Sequence, residues 1–518
     1  MPSPRPQTRV NADAVLILML ILAAGIFFRV YALGGRDIWT DEAWLALAAL
    51  KSTPAEALAA RQSTPPLYVL SVWAAAKFLG SSEAALRSLS CLLGIGTLVL
   101  FWPLARGLTS LAAALTGLAV VAFSPIMVYY AKELKQYSGD VFFTVLALLL
   151  AERLRARRGE GGWLGLALCG IFGLGFSHAL IFTLPVAAAV LWFSLPARRQ
   201  PRALYLGMVW GLCFAAYYFL FFRHEVAPEL IVYWGQDFPD FSGPWAFIIW
   251  LGGALFRYLE YFLGEWGPLW GPPLIAVGLG ALAHQGGSLA LVYFGGQLLM
   301  ALGAAALHRY PFMAHYGGSR LMLFSTPLLY LVVGAGLTAT FTWLWRQRQR
   351  LLALALAGLL LAALKPVKIF QENLYPSHNR EEIKHLVAHL ESQLQPQDVV
   401  YVYYHAIQPY KYYAKKPVAH LCFGKSCVER ALQVPETGGP PPQRLWLLGS
   451  HIPSLKYMRE FAAQLLGPQW QERACLIREG AVLFRFERPG PEAAAKTPSP
   501  PPGLSGGGSP VPPADRAY

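Results

Sequence analysis

Charge is what this sequence has least of. Of its 518 residues only 14% are Asp, Glu, Lys or Arg, whereas a soluble domain carries about a quarter, so a single water-soluble enzyme is excluded. Cysteine is scarce too, at six, which excludes a disulfide scaffold. No short repeat is present, so collagen-like and coiled-coil architectures fail as well. Apolar mass fills the chain instead: 55% of residues are hydrophobic and the mean hydropathy is +0.40. That mass is gathered in repeated segments long enough to cross a bilayer. The class is an α-helical polytopic membrane protein. Its net charge of +14 is not a nucleic-acid signal, because much of the excess lies in short loops between apolar segments, where it sets orientation. No nucleic-acid partner is expected.

The first apolar run, roughly Ala14 to Leu33, follows Arg5 and Arg9. With those arginines inside, the run exits to the outer face. It is expected to stay as an anchor, being too long for a cleavable signal and lacking a small-residue cleavage site after it. Further runs fall near 86–105, 111–129, 141–152, 162–177, 180–195, 203–222, 269–283, 287–307, 320–344 and 351–364. Two more, 65–80 and 245–263, are rich in Trp and Tyr and carry Lys77, or Arg257 and Glu260. If neither crosses, Arg106, the Arg153–Arg158 cluster, Arg198, Arg199, Arg202, Arg346, Arg348 and Arg350 all fall inside. Both are therefore expected to lie flat at the outer surface. About eleven spans result, with every long, chemically varied loop on one face, as an enzyme working at that face needs.

Composition changes at Lys365–Val367. Residues 1–364 are expected to form the membrane module, 365–488 a soluble outer-face α/β domain, and 489–518, rich in Pro, Gly, Ser and Ala, a disordered tail. In the soluble part, Arg380–Leu394 has helical amphipathicity, with Ile383, Leu386, Val387 and Leu390 on one side. Asp398–Tyr404, Arg444–Gly449 and Ala481–Glu487 read as strands. Cys91, Cys169 and Cys213 sit in apolar spans as small apolar side chains. Cys422 and Cys427 lie in the soluble part, where an oxidising periplasm suits a local disulfide. Their spacing fits a zinc site poorly, and free thiols are the alternative.

Two motifs carry chemistry. The first is Arg36-Asp37-Ile38-Trp39-Thr40-Asp41-Glu42-Ala43-Trp44, where the first span emerges. Adjacent carboxylates at a membrane surface repel each other and are costly to desolvate, so they point to a metal, a cationic partner or proton transfer. The plainer account is a solvated turn with Asp41 capping a helix that starts at Glu42. Thr64-Pro65-Pro66-Leu67-Tyr68 then opens the first flat helix. The second motif is Ser124-Pro125-Ile126-Met127-Val128-Tyr129-Tyr130-Ala131-Lys132-Glu133-Leu134-Lys135-Gln136-Tyr137-Ser138. Its lysines and tyrosines suit an anionic group such as phosphate, or else form an interfacial belt of tyrosines with snorkelling lysines. His178, at a helix end, faces an acceptor cavity or simply terminates its helix. The loop from His224 and Glu225 through Glu229, Asp237 and Asp240 is acidic and aromatic, either a cover for a site or a solvated loop.

The order and wording of these motifs resemble the GT-C membrane glycosyltransferases, in particular bacterial relatives of protein O-mannosyltransferases and of the lipid A aminoarabinose transferase. The resemblance is strong over residues 28–152 and, in layout, extends through 153–364; Tyr310-Pro311 followed by Gly317-Gly318-Ser319-Arg320-Leu321 is also similar. It implies transfer of a sugar from a polyprenyl-phosphate carrier to an acceptor hydroxyl, with inversion. Asp41 would be the general base, with Glu42 beside it. Lys132, Lys135 and Arg320, with His315 and Tyr137, would bind the donor phosphate. Glu133, Asp140 and His178 are candidates for acceptor contact or support. The lysines stand where many relatives carry arginine, keeping charge without bidentate geometry. The paired-acid spacing with which oligosaccharyltransferase subunits bind a divalent ion is missing, so no obligatory metal or other cofactor is expected, a divalent ion being the alternative. The expected site lies between the first two outer loops, under the flat helices 65–80 and 245–263, with an apolar groove for the prenyl chain.

The implied partners are a polyprenyl-phosphate sugar, undecaprenyl phosphate in a bacterial inner membrane, together with membrane lipids and a glycan, lipid or protein acceptor. A transporter or flippase of lipid-linked substrates is the chief alternative. It calls for repeated halves and ionisable groups near the bilayer midplane, whereas here no repeat is evident and charges gather at the outer edge. A non-catalytic envelope assembly factor is the third reading, for which so many spans exceed what anchoring requires.

Overall fold

The computed structural model describes residues 11–157, 162–223, 228–284, 287–315, 318–375, 381–432 and 442–488. The chain forms two compact units, one of residues 1–384 with 408–413, the other of residues 385–407 with 414–518. Residues beyond Lys365, where the composition changes, thus still belong to the first unit. The tail 489–518 and the loop residues His224 and Glu225 lie outside the described residues.

Every expected span in the first unit falls on a helix: Ala12–Val30, Glu83–Leu108, Leu111–Phe123 with Pro125–Ala131, Tyr137–Arg157, Gly162–Phe176, Leu184–Ser194, Gln200–Tyr217, Gly267–His284, Ser288–Ala306, Thr326–Arg346 and Arg350–Leu364. Among the described residues, six helices are long and apolar enough to cross a membrane, seven counting one bent pair, fewer than the roughly eleven spans expected, because helices such as Gly162–Phe176 are shorter than a bilayer crossing needs. The chain is a multi-pass membrane protein. Pro66–Leu79 is too short to cross, in keeping with a flat helix. Pro244–Leu263 has the length and apolarity to cross, which the loop-charge argument did not require. Its side chains reach the Gly235–Asp237 turn, Met313 and the Pro125–Ala131 helix. Trp250 donates to Gln236 O at 3.2 Å, Arg257 to Met313 O at 3.1 Å, and Tyr261 meets the Tyr130 hydroxyl at 2.5 Å.

The run 111–129 is not one straight helix but a pair bent by 57° at Ser124-Pro125. Pro125 has no N–H to offer, so the carbonyls ahead of it lose their helical partners. Distant side chains replace them. Arg29, fully buried in the first span, donates to Val121 O and Ala122 O, both at 3.1 Å. Asn373 Nδ2 reaches Phe123 O at 2.9 Å, and the Ser124 hydroxyl caps Met127 N–H. The bend delivers residues 132–136 inward, onto the first long loop.

Around it the helices pack through glycine. A Cβ on Gly278 would stand 2.1 Å from Val332 O, one on Gly336 2.1 Å from Leu274 O, and one on Gly334 2.6 Å from Gly117 N. Backbones at that separation need residues without side chains. The long loops meet on one face. Arg61 donates to Phe221 O, His178 lies on Ser63 O, Tyr68 donates to Lys135 O, and Lys365 pairs with Glu265.

The second unit holds a five-stranded sheet of order β2-β1-β3-β5-β4, with β1 Val399–Val402, β2 His420–Cys422, β3 Arg444–Ser450, β4 Gln471–Arg478 and β5 Ala481–Glu487. β1 runs parallel to both neighbours, and β5 antiparallel to β3 and β4. The three strands legible in the sequence are the central ones, whose residues are almost wholly buried. The two edge strands were not anticipated, because an edge strand keeps polar, half-exposed residues and loses the apolar signal. The amphipathic helix is Lys384–Gln393, preceded by buried Ile383. Cys422 and Cys427 form a disulfide.

Candidate active site

The first long loop is organised by a residue the motif reading passed over. Arg87, fully buried in the Glu83–Leu108 helix, donates to Glu42 with Nε at 2.8 Å and Nη2 at 2.5 Å. Its remaining N–H groups reach Leu33 O, Arg36 O and Asp37 O. An arginine inside an apolar run is itself a signal, and it was available in the sequence. Glu42 spends its other capacity on Leu134 N–H at 2.7 Å. Burial works against its charge, but Arg87 beside it outweighs burial and holds the carboxyl below the usual range. Glu42 is therefore enclosed and fully partnered. It clamps the first loop to the second and has no face for a substrate, which corrects its expected place beside the base.

Asp41, one residue earlier, points the other way. The helix begins at Thr40, with Trp39 rather than Asp41 at the cap position. Asp41 is a third exposed and accepts from Arg320 Nη2 at 3.0 Å. Arg320, in the 3-10 turn Gly318–Ser325, lies over the rings of Tyr137, at 5.7 Å, and Trp39, at 6.0 Å. Asp41, Arg320 and Tyr137 therefore do converge.

Glu133 lies behind them with none of its surface exposed. The Trp39 indole N–H donates to its Oε1 at 3.0 Å, while Oε2 has no hydrogen-bond partner. Burial, reinforced by the charge of Glu42, pushes its carboxyl up to about 7. The two lysines of the loop part company. Lys132 is buried and donates to Asn373 O at 2.9 Å, and burial brings its ammonium down to about 8. It fastens the loop to the Pro366–Leu374 helix instead of facing a phosphate. Lys135 is half-buried, and its ammonium has no partner among the described residues.

The remaining candidates make separate contacts of their own. His315 is hydrogen-bonded through Nδ1 to buried Asp237, whose same oxygen accepts the His315 N–H at 3.0 Å. Arg257 stands 4.0 Å from that carboxylate. Asp140 is buried and accepts from the Ser177 hydroxyl at 2.6 Å, so it shapes the turn that carries His178. His178 Nε2 sits 3.2 Å from Ser63 O, with its ring edge-on to Phe222. Neither Asp140 nor His178 is joined to Asp41 by a direct contact among those resolved. No group of three or more His, Cys, Asp or Glu side chains with metal-binding geometry occurs among the described residues.

This architecture has known counterparts. A family model for dolichyl-phosphate-mannose-protein mannosyltransferase matches residues 63–221. No curated protein sequence matches the chain. Among solved structures, ArnT from Cupriavidus metallidurans in the apo state is similar with a TM-score of 0.51 at 12% identity, covering 92% of this chain and 98% of ArnT. The fold is that of the GT-C glycosyltransferases. The same ArnT bound to undecaprenyl phosphate aligns with a TM-score of 0.51 at 12% identity, over 91% of this chain and 98% of that one. Within this GT-C fold the family match begins after Asp41 and ends before Arg320, so the ion pair between them is a feature of the tertiary structure rather than of the matched segment.

Proposed function

We propose that this protein transfers a sugar from a polyprenyl-phosphate carrier to an acceptor hydroxyl at the long-loop face, with Asp41 as general base. The observation that carries the reading is the contrast among three neighbouring carboxylates. Asp41 is accessible beside Arg320, while Glu42 and Glu133 are enclosed. An acceptor hydroxyl is a weak nucleophile. As its oxygen attacks the anomeric carbon, Asp41 takes its proton and the bond from that carbon to the phosphate oxygen breaks. The lipid phosphate leaves as a stable anion and needs positive charge more than a proton. Arg320 and Lys135 supply that charge, with Tyr137 lining the approach, and direct displacement inverts the anomeric centre. Because side-chain cations serve the leaving group, the reading includes no obligatory metal. Treatment with EDTA should leave the rate within about twofold, and loss of activity restored by a divalent ion would overturn that part. The proposed setting is a bacterial inner membrane, with undecaprenyl phosphate as carrier and the long loops on the periplasmic side.

The test is transfer of labelled sugar from a panel of polyprenyl-phosphate sugars in membranes, comparing wild type with Asp41→Asn. The substitution keeps size and hydrogen bonding and removes the base. Activity falling by about a hundredfold or more supports Asp41 as base. Equal activity would leave transfer standing and remove Asp41 from that role. A wild type that binds donors yet transfers none of them would sink the transferase reading. The anomeric configuration of the product, read by NMR, decides between inversion and retention.

A further inference from the structure

The sheet of the second unit has a feature that the transfer chemistry does not use. β1 and β3 are adjacent and parallel, so their carboxyl ends open at the same edge. The chain leaves β1 toward β2 on one side, whereas β3 is followed by the Leu455–Leu466 helix and then β4 on the other side. In open α/β sheets the crevice at such a reversal, beyond the carboxyl ends of the strands, is where ligands bind, because the diverging connections leave it uncovered.

Here that crevice is lined with rings. Tyr403, Tyr404 and His405 follow β1, and His451 follows β3. The Tyr404 and His405 rings are 3.8 Å apart, and the His405 and His451 rings meet edge-on at 5.0 Å. Tyr403 forms the floor, buried against Phe461 at 5.3 Å, with its hydroxyl beside those of Tyr404 and Tyr457. Tyr404 and Tyr457 rise from that floor 52% and 39% exposed. His451 is held at φ +54° while its N–H donates to Gly480 O in the β4–β5 turn. Backbone strain of that kind, in a residue bordering a crevice, recurs at ligand-binding sites.

The chemistry of the lining selects the ligand. None of these side chains is a lysine or arginine, so the lining carries no fixed positive charge that would mark it for an anion. Exposed aromatic faces accept the C–H face of a pyranose ring, and imidazole nitrogens with phenolic hydroxyls both donate to and accept from sugar hydroxyls. We propose that this crevice is a carbohydrate-binding site that takes a neutral glycan, with a sugar ring on Tyr404 and Tyr457 and its hydroxyls bonded to His405 and His451. The transferase reading supplies only the reason for such a site, retention of a glycan by the enzyme that extends or transfers it.

The test uses the full-length protein in lipid nanodiscs with mannotriose, chitotriose and maltotriose as probes, and binding read by saturation-transfer NMR and titration up to about 10 mM. At least one trisaccharide is expected to bind. The Tyr404→Ala/Tyr457→Ala pair should weaken it by about tenfold or more, and Tyr404→Phe/Tyr457→Phe should retain affinity within about threefold, because the faces remain. A melting temperature unchanged in both pairs excludes misfolding as the cause. No binding of any probe, or binding indifferent to the alanine pair, would overturn the site. Binding of inorganic phosphate that the alanine pair abolishes would overturn the ligand class. Asp41→Asn separates the two proposals: glycan binding intact with transfer lost in that variant supports both, whereas a wild type that transfers sugar but binds none of the probes removes this site alone.

Discussion

Asp41, Glu42 and Glu133 are the same functional group in three environments. Glu42 faces a buried guanidinium, Glu133 a lone indole N–H, and Asp41 partly faces solvent. Adjacent positions on a helix point about 100° apart, so of two neighbouring acids one faces the core and the other the site. The motif showed the pair, but not which member faces where. Removing one partner of a buried ion pair strands the other, at a cost of about 3–5 kcal/mol, while replacing both with apolar groups is often nearly neutral. Arg87→Met should therefore lower the thermal midpoint sharply, and Glu42→Met/Arg87→Met should recover only the part owed to the stranded carboxylate, not the part owed to Leu33 O, Arg36 O and Asp37 O, as read by a melt in detergent. Glu133 makes a pH prediction. Its carboxyl is raised from 4.5 to about 7, so the folded protein holds a proton that the unfolded chain releases. The stability this contributes is complete below about 4.5 and is lost as pH rises through about 7. Glu133→Gln is neutral throughout and should flatten the fall in thermal midpoint between about pH 5 and about pH 8. An unchanged slope would show that the carboxyl does not titrate in that window.

At the scale of elements, the bent span and the glycine seams decide how near the loops come to one another. The run 111–129 was legible as apolar, and Pro125 was visible inside it. The carbonyls that the proline orphans are capped from Arg29 and Asn373, far away in sequence, and no local pattern signals such a partner. Arg29→Met keeps the length and loses the caps. With each stranded carbonyl costing about 1–3 kcal/mol, it should reduce the melting temperature and the yield of monodisperse protein on size exclusion. Gly336→Val should do the same more severely, because the position already stands against Leu274 O. Gly358, whose Cβ would meet nothing within 4 Å, is the control, and Gly358→Ala should behave like wild type.

For the whole molecule, the loop charges and the contacts agree on one face. The positive-inside argument placed all the long loops together, and the structure ties those loops to one another through Arg61, Tyr68, His178 and Lys365. The orientation is tested with single added cysteines. A membrane-impermeant maleimide should label Lys51→Cys in intact cells, and Arg198→Cys only after permeabilisation, each measured against the signal of the parent protein. The reverse pattern would invert the topology and move the proposed chemistry to the other side of the membrane.

Composition, apolar run length and residue pattern determined the class, the helical runs and the three central strands, because these properties are local and survive in any window of the chain. The two motifs marked the neighbourhood of the site for the same reason. Which carboxylate is accessible, which lysine is bound away, and which arginine meets Asp41 were decided only in the tertiary structure. Asp41 and Arg320 are 279 residues apart, and Lys132 and Asn373 are 241 apart. A sequence displays the residues able to form such pairs, but their selection rests on the bend at Pro125, the close helix packing at Gly278, Gly334 and Gly336, and the burial that leaves each polar group few partners within reach.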